Sequence, residues 1–436
     1  MQSFRTNRRF QSWKAATRAR QKFVSHRWCL MLTFGLGVLA SVQDACGQEA
    51  LRLSLAGDAA ASAQSDAAAS IGYYNLLVGH TALRFSAGLE LQYNDNVRLQ
   101  PNPQGDLLFS PNMNTQVHWP LTENNSLEIS LGAGYNAYVN NENLDQFFVT
   151  PGSGISFNLY VGDFAINLHD RLTVTENGYQ NPVVNGNGNN ASLQNTAGTS
   201  ATWDLNQLVV SAGYDHANYV PLYSGLPSQP DASSENFSAS GGVRLRPEIL
   251  VGVEAGGSLV GYGSAASPNT AQWNSGAFGR VQISEYMSAQ LDAGYTESLP
   301  ESSTATVPNA GGSSSYYFDF SLTHRINQYI HYTLSASHST DFQYYGQPYT
   351  YYSVQWQPSW NIFRQYSVST PFAWQHGTQA YGQGNGFDQY SAGINVGHQI
   401  TEKFSGALSY QFIRETAVAS SSYFVNIIGL NFSYQF

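Results

Sequence analysis

The chain has 436 residues, of which only 11% are charged, and a mean hydropathy of −0.29. A soluble globule carries about 25% charged residues. This balance, with 28 Tyr and 40 Gly, argues against one and suits a barrel with a wet lumen and an apolar outside.

Eight of the 19 Lys and Arg precede residue 28: Arg5, Arg8, Arg9, Lys14, Arg18, Arg20, Lys22 and Arg27. An apolar run, Trp28 to Val42, and the small residues around Ala45 and Gly47 follow. This is the grammar of a secretory signal, residues 1–47, cleaved after Gly47. A lipoprotein signal at Cys46 would place Gln43 and Asp44 where small or apolar residues are needed. A spanning helix needs ~20 apolar residues, more than the run supplies. Both cysteines, Cys29 and Cys46, fall inside the signal, so the mature chain has no thiol chemistry. It keeps 11 Lys and Arg against 28 Asp and Glu, a balance of −17, which excludes nucleic-acid binding by a basic surface.

Residues 48–80 read as an Ala/Ser-rich periplasmic leader and 81–436 as the barrel. The first full strand is Leu83 to Tyr93. Leu83, Phe85, Ala87, Leu89, Leu91 and Tyr93 alternate with Arg84, Ser86, Gly88, Glu90 and Gln92, so charge appears on one face only. Asn94, Asp95, Asn96 and Val97 lead into a loop to about Asp106. The stretch from Tyr74-Asn75-Leu76 to Tyr93-Asn94-Asp95-Asn96-Val97 resembles the start of the β-barrel porin family. Those are outer-membrane proteins without an assigned substrate, some of them associated with exopolysaccharide export. The resemblance implies an outer-membrane barrel that passes or exports polar solutes.

The rhythm then repeats. Phe109, Met113, Val117 and Trp119 descend to a turn at Thr122 to Asn125; Leu127, Ile129, Leu131, Ala133 and Tyr135 climb back. Ile155 to Val161 descends to Gly162-Asp163, and Phe164 to Val174 rises to a loop over 176–191. Further strands are predicted at 197–203, 208–214, 237–245, 249–259, 273–283, 287–295, 316–326, 330–336, 352–360, 366–374, 390–400 and 404–412. The last runs from Tyr423 to Phe436. Its apolar face, Leu430, Phe432, Tyr434 and Phe436, looks like the terminal strand that the barrel-assembly machinery recognises.

These strands make an all-β, antiparallel transmembrane barrel of 16–18 strands, 18 by direct count, with short turns alternating with longer polar loops. In lipid such a sheet must close, because an open edge would leave amides unpaired. Trp119, Trp203, Trp360 and Phe436 fall on the turn side, and Tyr135, Tyr214 and Tyr295 on the loop side, as two interfacial girdles. Ala133-Gly134-Tyr135, Ala212-Gly213-Tyr214 and Ala293-Gly294-Tyr295 recur once every four strands, as ordinary strand grammar on ascending strands would produce.

No catalytic arrangement emerges. His169-Asp170 and Asp215-His216 are neighbours on a strand and face opposite sides, so neither forms a dyad. Asp170, His216 and His324 fall on the apolar parity and are expected at a rim or a bulge. His331 and His338 are placed on the lumen side, where a metal pair would need further ligands; none stands at useful spacing. No cofactor is implied. Alternation places Glu90, Glu128, Asp215, Glu254, Asp292 and Asp319 inside, against Arg84, Arg171, Arg244, Arg280 and Arg325, with Tyr317 and Tyr351 also inward. Such a lumen either conducts polar solutes with a cation preference or is sealed by its own charge pairs. The rival function is a non-conducting scaffold or a barrel presenting adhesin-like loops.

Overall fold

The computed structural model describes residues 74–175, 191–222, 231–263, 269–300, 312–342, 348–362, 365–379, 386–417 and 422–436. The signal segment, both cysteines, the leader before residue 74 and nearly all of loop 176–191 lie outside the described residues.

In chain order the strands are β1 (Leu76–Val78), β2 (Thr81–Asn94), β3 (Asp106–Pro120), β4 (Ser126–Tyr138), β5 (Gln146–Val149), β6 (Gly154–Val161) and β7 (Phe164–Thr175). Then come β8 (Ser192–Asp204), β9 (Leu208–Pro221), β10 (Ala232–Arg246), β11 (Ile249–Tyr262), β12 (Thr270–Ser284), β13 (Met287–Pro300) and β14 (Ser313–Arg325). The remainder are β15 (Ile330–Phe342), β16 (Pro348–Ile362), β17 (Tyr366–Ser369), β18 (Phe372–Gln379), β19 (Gly386–Gln399), β20 (Phe404–Ala417) and β21 (Tyr423–Gln435). They form one antiparallel sheet. β5 and β6 are two pieces of one stave, since both pair with β4 and β7, and β17 and β18 are likewise one stave between β16 and β19. With β1 an appendage, 18 staves remain among the described residues, as the alternation predicts.

Closure comes from β2 and β21, paired from Ser86↔Gln435 to Asn94↔Ile427. β1 belongs to this seam rather than to a free leader. Where β21 stops, β1 takes over the same edge of β2, pairing Leu76↔Leu83 to Val78↔Thr81. Asn75 fills the join: its backbone N–H donates to the Leu83 carbonyl at 2.9 Å, its side-chain amide donates to the Phe436 carbonyl, and its Oδ1 accepts from the Phe85 N–H. The edge of β2 is thereby paired past the C-terminal residue, as a sheet in hydrocarbon requires.

Alternation sorts the side chains. The outside is apolar and uncovered: Val253 is 66% exposed and Leu245 63%, alongside Leu89, Met113, Leu131, Leu291, Leu408, Ile428 and Leu430. A closed barrel with this surface spans a membrane. Aromatic pairs mark both borders. On the turn side Phe164 stacks on Trp203 at 5.1 Å; on the loop side Tyr214 meets Phe237 at 5.2 Å and Trp273 meets Tyr295 at 5.6 Å.

Polar residues on the outer parity gather beyond the loop-side aromatics. His216 Nδ1 lies 2.9 Å from Glu235 Oε1, whose other oxygen accepts from the Tyr214 hydroxyl at 2.6 Å. His376 Nδ1 lies 3.0 Å from Asp388 Oδ1. His324 sits near the turn end of β14, against the Tyr332 hydroxyl. Asp170 takes the rim alternative, level with His216 through Ala197, and not the bulge. The register of β7 on β8 is unbroken from Phe164↔Trp203 to Thr175↔Ser192, so its carboxylate stays outside, where the Asn195 amide donates to it at 2.6 Å.

His338 is also misplaced by the sequence reading. Seven residues is an odd spacing, so on one continuous strand His331 and His338 face opposite sides. His338 is on the outside, packed between the rings of Tyr316 and Tyr352 at 4.1 and 4.2 Å, and its Nδ1 lies 2.9 Å from the Tyr316 carbonyl.

Candidate lumen site

All ten lumen candidates, Arg84, Glu90, Glu128, Arg171, Asp215, Arg244, Glu254, Arg280, Asp292 and Asp319, keep the inward parity of their strands, opposite the exposed apolar residues. The structure brings six of them together in two places and sets Arg244 apart; Arg84 and Glu90 lie on β2 and Arg171 on β7, outside both groupings.

The one set apart is Arg244. It lies at the turn end of β10, where its guanidinium contacts Asp204 Oδ2 at 3.0 Å and the Asn206 carbonyl. It clamps the β8–β9 turn. Asp204 is held below the usual carboxylate range by the Arg244 hydrogen bond and then by the Asn206 N–H.

The first grouping is a polar chain along β4, β6, β7 and β9. Glu128 lies 3.7 Å from His118 and receives the Asn158 amide at 3.5 Å. The Asn167 amide donates to Asn158 Oδ1 at 2.7 Å. His169 bonds the Asn167 oxygen through Nδ1 at 2.8 Å and Asp215 Oδ1 through Nε2 at 2.9 Å. His169 and Asp215 are not on adjacent strands. Gly198 of β8 stands between them in register, paired with both. A Cβ there would overlap Asp215 Oδ1, so the bare backbone is what lets the two side chains meet. Gly198→Ala is expected to separate the pair, seen by NMR as loss of the His169–Asp215 hydrogen bond from the imidazole nitrogen spectrum.

The second grouping is acidic and lies on β11 to β14. Glu254 and Asp292 are 5% and 9% exposed. Glu254 accepts from the Tyr317 hydroxyl at 2.7 Å and Asp292 from the Gln290 amide at 2.8 Å, both neutral donors. Asp292 and Asp319 are direct cross-strand partners. Arg280 lies close enough to act on Glu254 and Asp292, and its guanidinium sits 5.3 Å over the Phe278 ring.

Tyr317 reaches Glu254 from three strands away. Between them stand Gly294 and Gly276, each in register with the next: Tyr317↔Gly294, Gly294↔Gly276, Gly276↔Glu254. The ring lies over both glycines; a Cβ on Gly294 would come within 2.7 Å of Tyr317 Cε1, and one on Gly276 would overlap the hydroxyl. Other inward rings do the same: Phe278 over Gly252 and Gly242, Phe148 over Gly134, and Phe387 over Gly377. Rings pressed along the wall do not project across the lumen. This is a physical reason for the glycine content on the inward parity.

The loop end is lined differently. Residues 95–105 fold against the inner side of the barrel, where Leu99, 2% exposed, packs with Ile413, Tyr423, Val425 and Ile427. Asn96 pins this loop. Its amide donates to the Gln100 and Phe424 carbonyls at 2.7 and 3.0 Å, and its Oδ1 accepts from the Gln100 N–H. Leu99 takes φ of 51°, a left-handed conformation unfavourable for a leucine. Arg98 reaches across to Asn141 and Asn143, while Asp106 gathers the N–H groups and side-chain amides of Asn140 and Asn141. The inward loop was legible in two places: Val97 and Leu99 in a polar connection, and apolar Tyr423, Val425 and Ile427 on the parity that lower in β21 carries Gly429, Asn431 and Ser433. On the other side of the mouth the ladder between β14 and β15 ends at Phe318↔His338, while β15 continues with β16 to Phe342↔Pro348. Beyond the split, the Thr340 carbonyl accepts from the Gln272 amide of β12 at 3.4 Å.

Among the described residues no group of three or more His, Cys, Asp or Glu side chains is arranged to hold a metal.

No protein-family model matches the chain, and no curated protein matches it. Similar solved structures include Pseudomonas aeruginosa OccK2 (OpdF), at 10% identity and a TM-score of 0.49, covering 81% of this chain and 98% of that one. Pseudomonas aeruginosa OccK5 (OpdH) is similar at 9% identity and a TM-score of 0.48, covering 82% and 98%. Acinetobacter baumannii OccAB3 is similar at 12% identity and a TM-score of 0.45, covering 82% and 100%.

Proposed function

We propose that the barrel is an outer-membrane channel of porin type, passing small polar solutes through a lumen narrowed at its loop end. The observation that supports this most is the inner wall. Its large rings, Phe148, Phe278, Tyr317 and Phe387, lie along glycines instead of meeting across the barrel, and below the apolar cluster at the loop end the inner wall carries many polar and charged side chains. A barrel built only as a scaffold has no need to keep rings against the wall. The inward loop 95–105 then acts as a constriction, because it covers part of the mouth without being a strand of the wall. Export of polysaccharide is the finer reading of the family resemblance and would use the same lumen. The outward residues of β21, Leu430, Phe432, Tyr434 and Phe436, are the surface offered to an assembly machinery.

The packed loop end favours one rival. Tyr351, Phe387, Ile413, Tyr423 and Val425 are buried there, as they would be in a sealed barrel. Swelling of proteoliposomes in isosmotic sugars separates the two. The channel reading expects swelling that falls steeply with sugar size; folded protein that gives no swelling with any sugar overturns it.

A further inference from the structure

We propose that Asn75 and Asp95 are register stops for barrel closure: they fix which residues of β21 meet β2, and with that register the width of the lumen. The consequence for the lumen rests on the channel reading; the register itself does not.

Every other pair of neighbouring staves is joined by chain, but β2 and β21 meet only when the sheet closes. Alternation limits this joint without fixing it. A slip of one residue would turn the apolar face of β21 inward, whereas a slip of two keeps every side chain on its own face. Something other than the hydrophobic pattern must therefore select Leu91↔Leu430 over Leu91 opposite Ile428 or Phe432.

Each end of the seam carries such a device. At the turn end β1 folds back on β2 through Gly79 and His80, with Gly79 at φ 64°, as a two-residue hairpin loop favours. This pairing is local, so the edge of β2 from Thr81 to Leu83 is taken without waiting for β21. Asn75 continues it and meets Phe436 at Phe85. The Phe85 N–H donates to Asn75 Oδ1, the Phe85 carbonyl accepts the Phe436 N–H at 3.2 Å, and the Asn75 amide donates to the Phe436 carbonyl. A shift of β21 by two residues towards the turns would drive Gln435 and Phe436 into the places of Asn75 and Leu76. A shift of two the other way breaks the contacts of Phe436 with Asn75 and Phe85.

At the loop end Asp95 extends the same register. Its N–H donates to the Asn426 carbonyl at 3.1 Å, and its carboxylate accepts the Asn426 N–H at 2.7 Å and the Asn426 side-chain amide at 2.6 Å. Two residues to either side on β21 stand Phe424 and Ile428, which have no side-chain donor. The carboxylate thus fits one residue of β21 and neither slipped register. Strand stagger and barrel diameter are linked, so a seam displaced by two residues closes a barrel of different bore.

Disulfide trapping on the folded protein tests the stops. Residues 81–436 contain no cysteine, so three engineered pairs report the register. Leu91→Cys with Leu430→Cys reads the native one, and Leu91→Cys with Ile428→Cys or with Phe432→Cys reads the slipped ones. A disulfide needs Cβ atoms about 3.5–4.5 Å apart, and diagonal neighbours stand about 7–8 Å apart, so each pair reads one register. With Asn75 and Asp95 intact, only the native pair is expected to link. Asn75→Ala should raise linkage of a slipped pair, and Asn75→Ala with Asp95→Ala should raise it about tenfold, the scale of one or two lost hydrogen bonds. A merely stabilising role for these residues would lower heat resistance and leave the linked pair unchanged. Native linkage alone in the folded double variant overturns the stops; should that variant not fold, Asn75→Ala decides on the same products. In conducting protein the double variant should show a second, discrete unit conductance, and slipped linkage with one unchanged conductance overturns the claim on lumen width. Slipped linkage in a barrel that carries no current supports the stops and sinks the channel reading alone.

Discussion

Replacing Gly294 by alanine is expected to lower the stability of the folded barrel by about 1–3 kcal/mol, the cost of overpacking a fitted site. Gly279→Ala should leave stability unchanged. The two glycines differ only in what surrounds them. A Cβ on Gly294 would overlap the Ser275 carbonyl, come within 2.6 Å of Gly276 Cα and reach 2.7 Å from the Tyr317 ring. Two of these neighbours are backbone in a paired strand and cannot move aside alone. Gly279 has nothing within 4 Å of an added Cβ and lies on the outer parity with Val281 and Ile283. The measurement is the temperature at which the folded form disappears in a gel-mobility assay. A lower transition for Gly294→Ala with an unchanged one for Gly279→Ala supports the account of rings seated on glycines; equal shifts contradict it.

The second large effect is at the mouth. Leu99→Asp places a carboxylate among Ile413, Tyr423, Val425 and Ile427, where it has no compensating charge. Leaving a charge buried and unpaired costs about 3–5 kcal/mol. The loop holds few links to the wall, chiefly those of Asn96 and Asp95 to β21, so it is expected to release while the barrel stays closed. Unit conductance should rise and the 95–105 segment should become a site of proteolytic cleavage. An unchanged conductance with an intact, protected loop would show that this segment does not narrow the path.

The barrel itself was legible because a strand's side chains repeat every two residues, and lipid outside with water inside makes that period visible in nearly every stave. The count survives the interruptions in β5–β6 and β17–β18 because each broken pair occupies one place in the sheet. Parity also placed the ten lumen candidates on the inner side of their strands, while Asp170, Glu235 and Asp388 carry charge on the outer parity near the loop end. Sequence reasoning fell short where the determinant lies between strands. Gly198, Gly276 and Gly294 matter because register sets them beneath His169, Asp215 and Tyr317, and no single strand's pattern carries register. Asn75 reads as part of a leader but completes the seam, since its partners Phe85 and Phe436 come together only on closure. His338 was a different matter, since counting parity from His331 was sufficient to place it outside.

The central claim is an open, acid-lined lumen, and single-channel current under a salt gradient tests it most directly. The account predicts discrete steps of constant size with a modest cation preference, reduced by Asp319→Asn and by Asp292→Asn. Silence from folded, heat-modifiable protein would contradict it and identify the barrel as sealed.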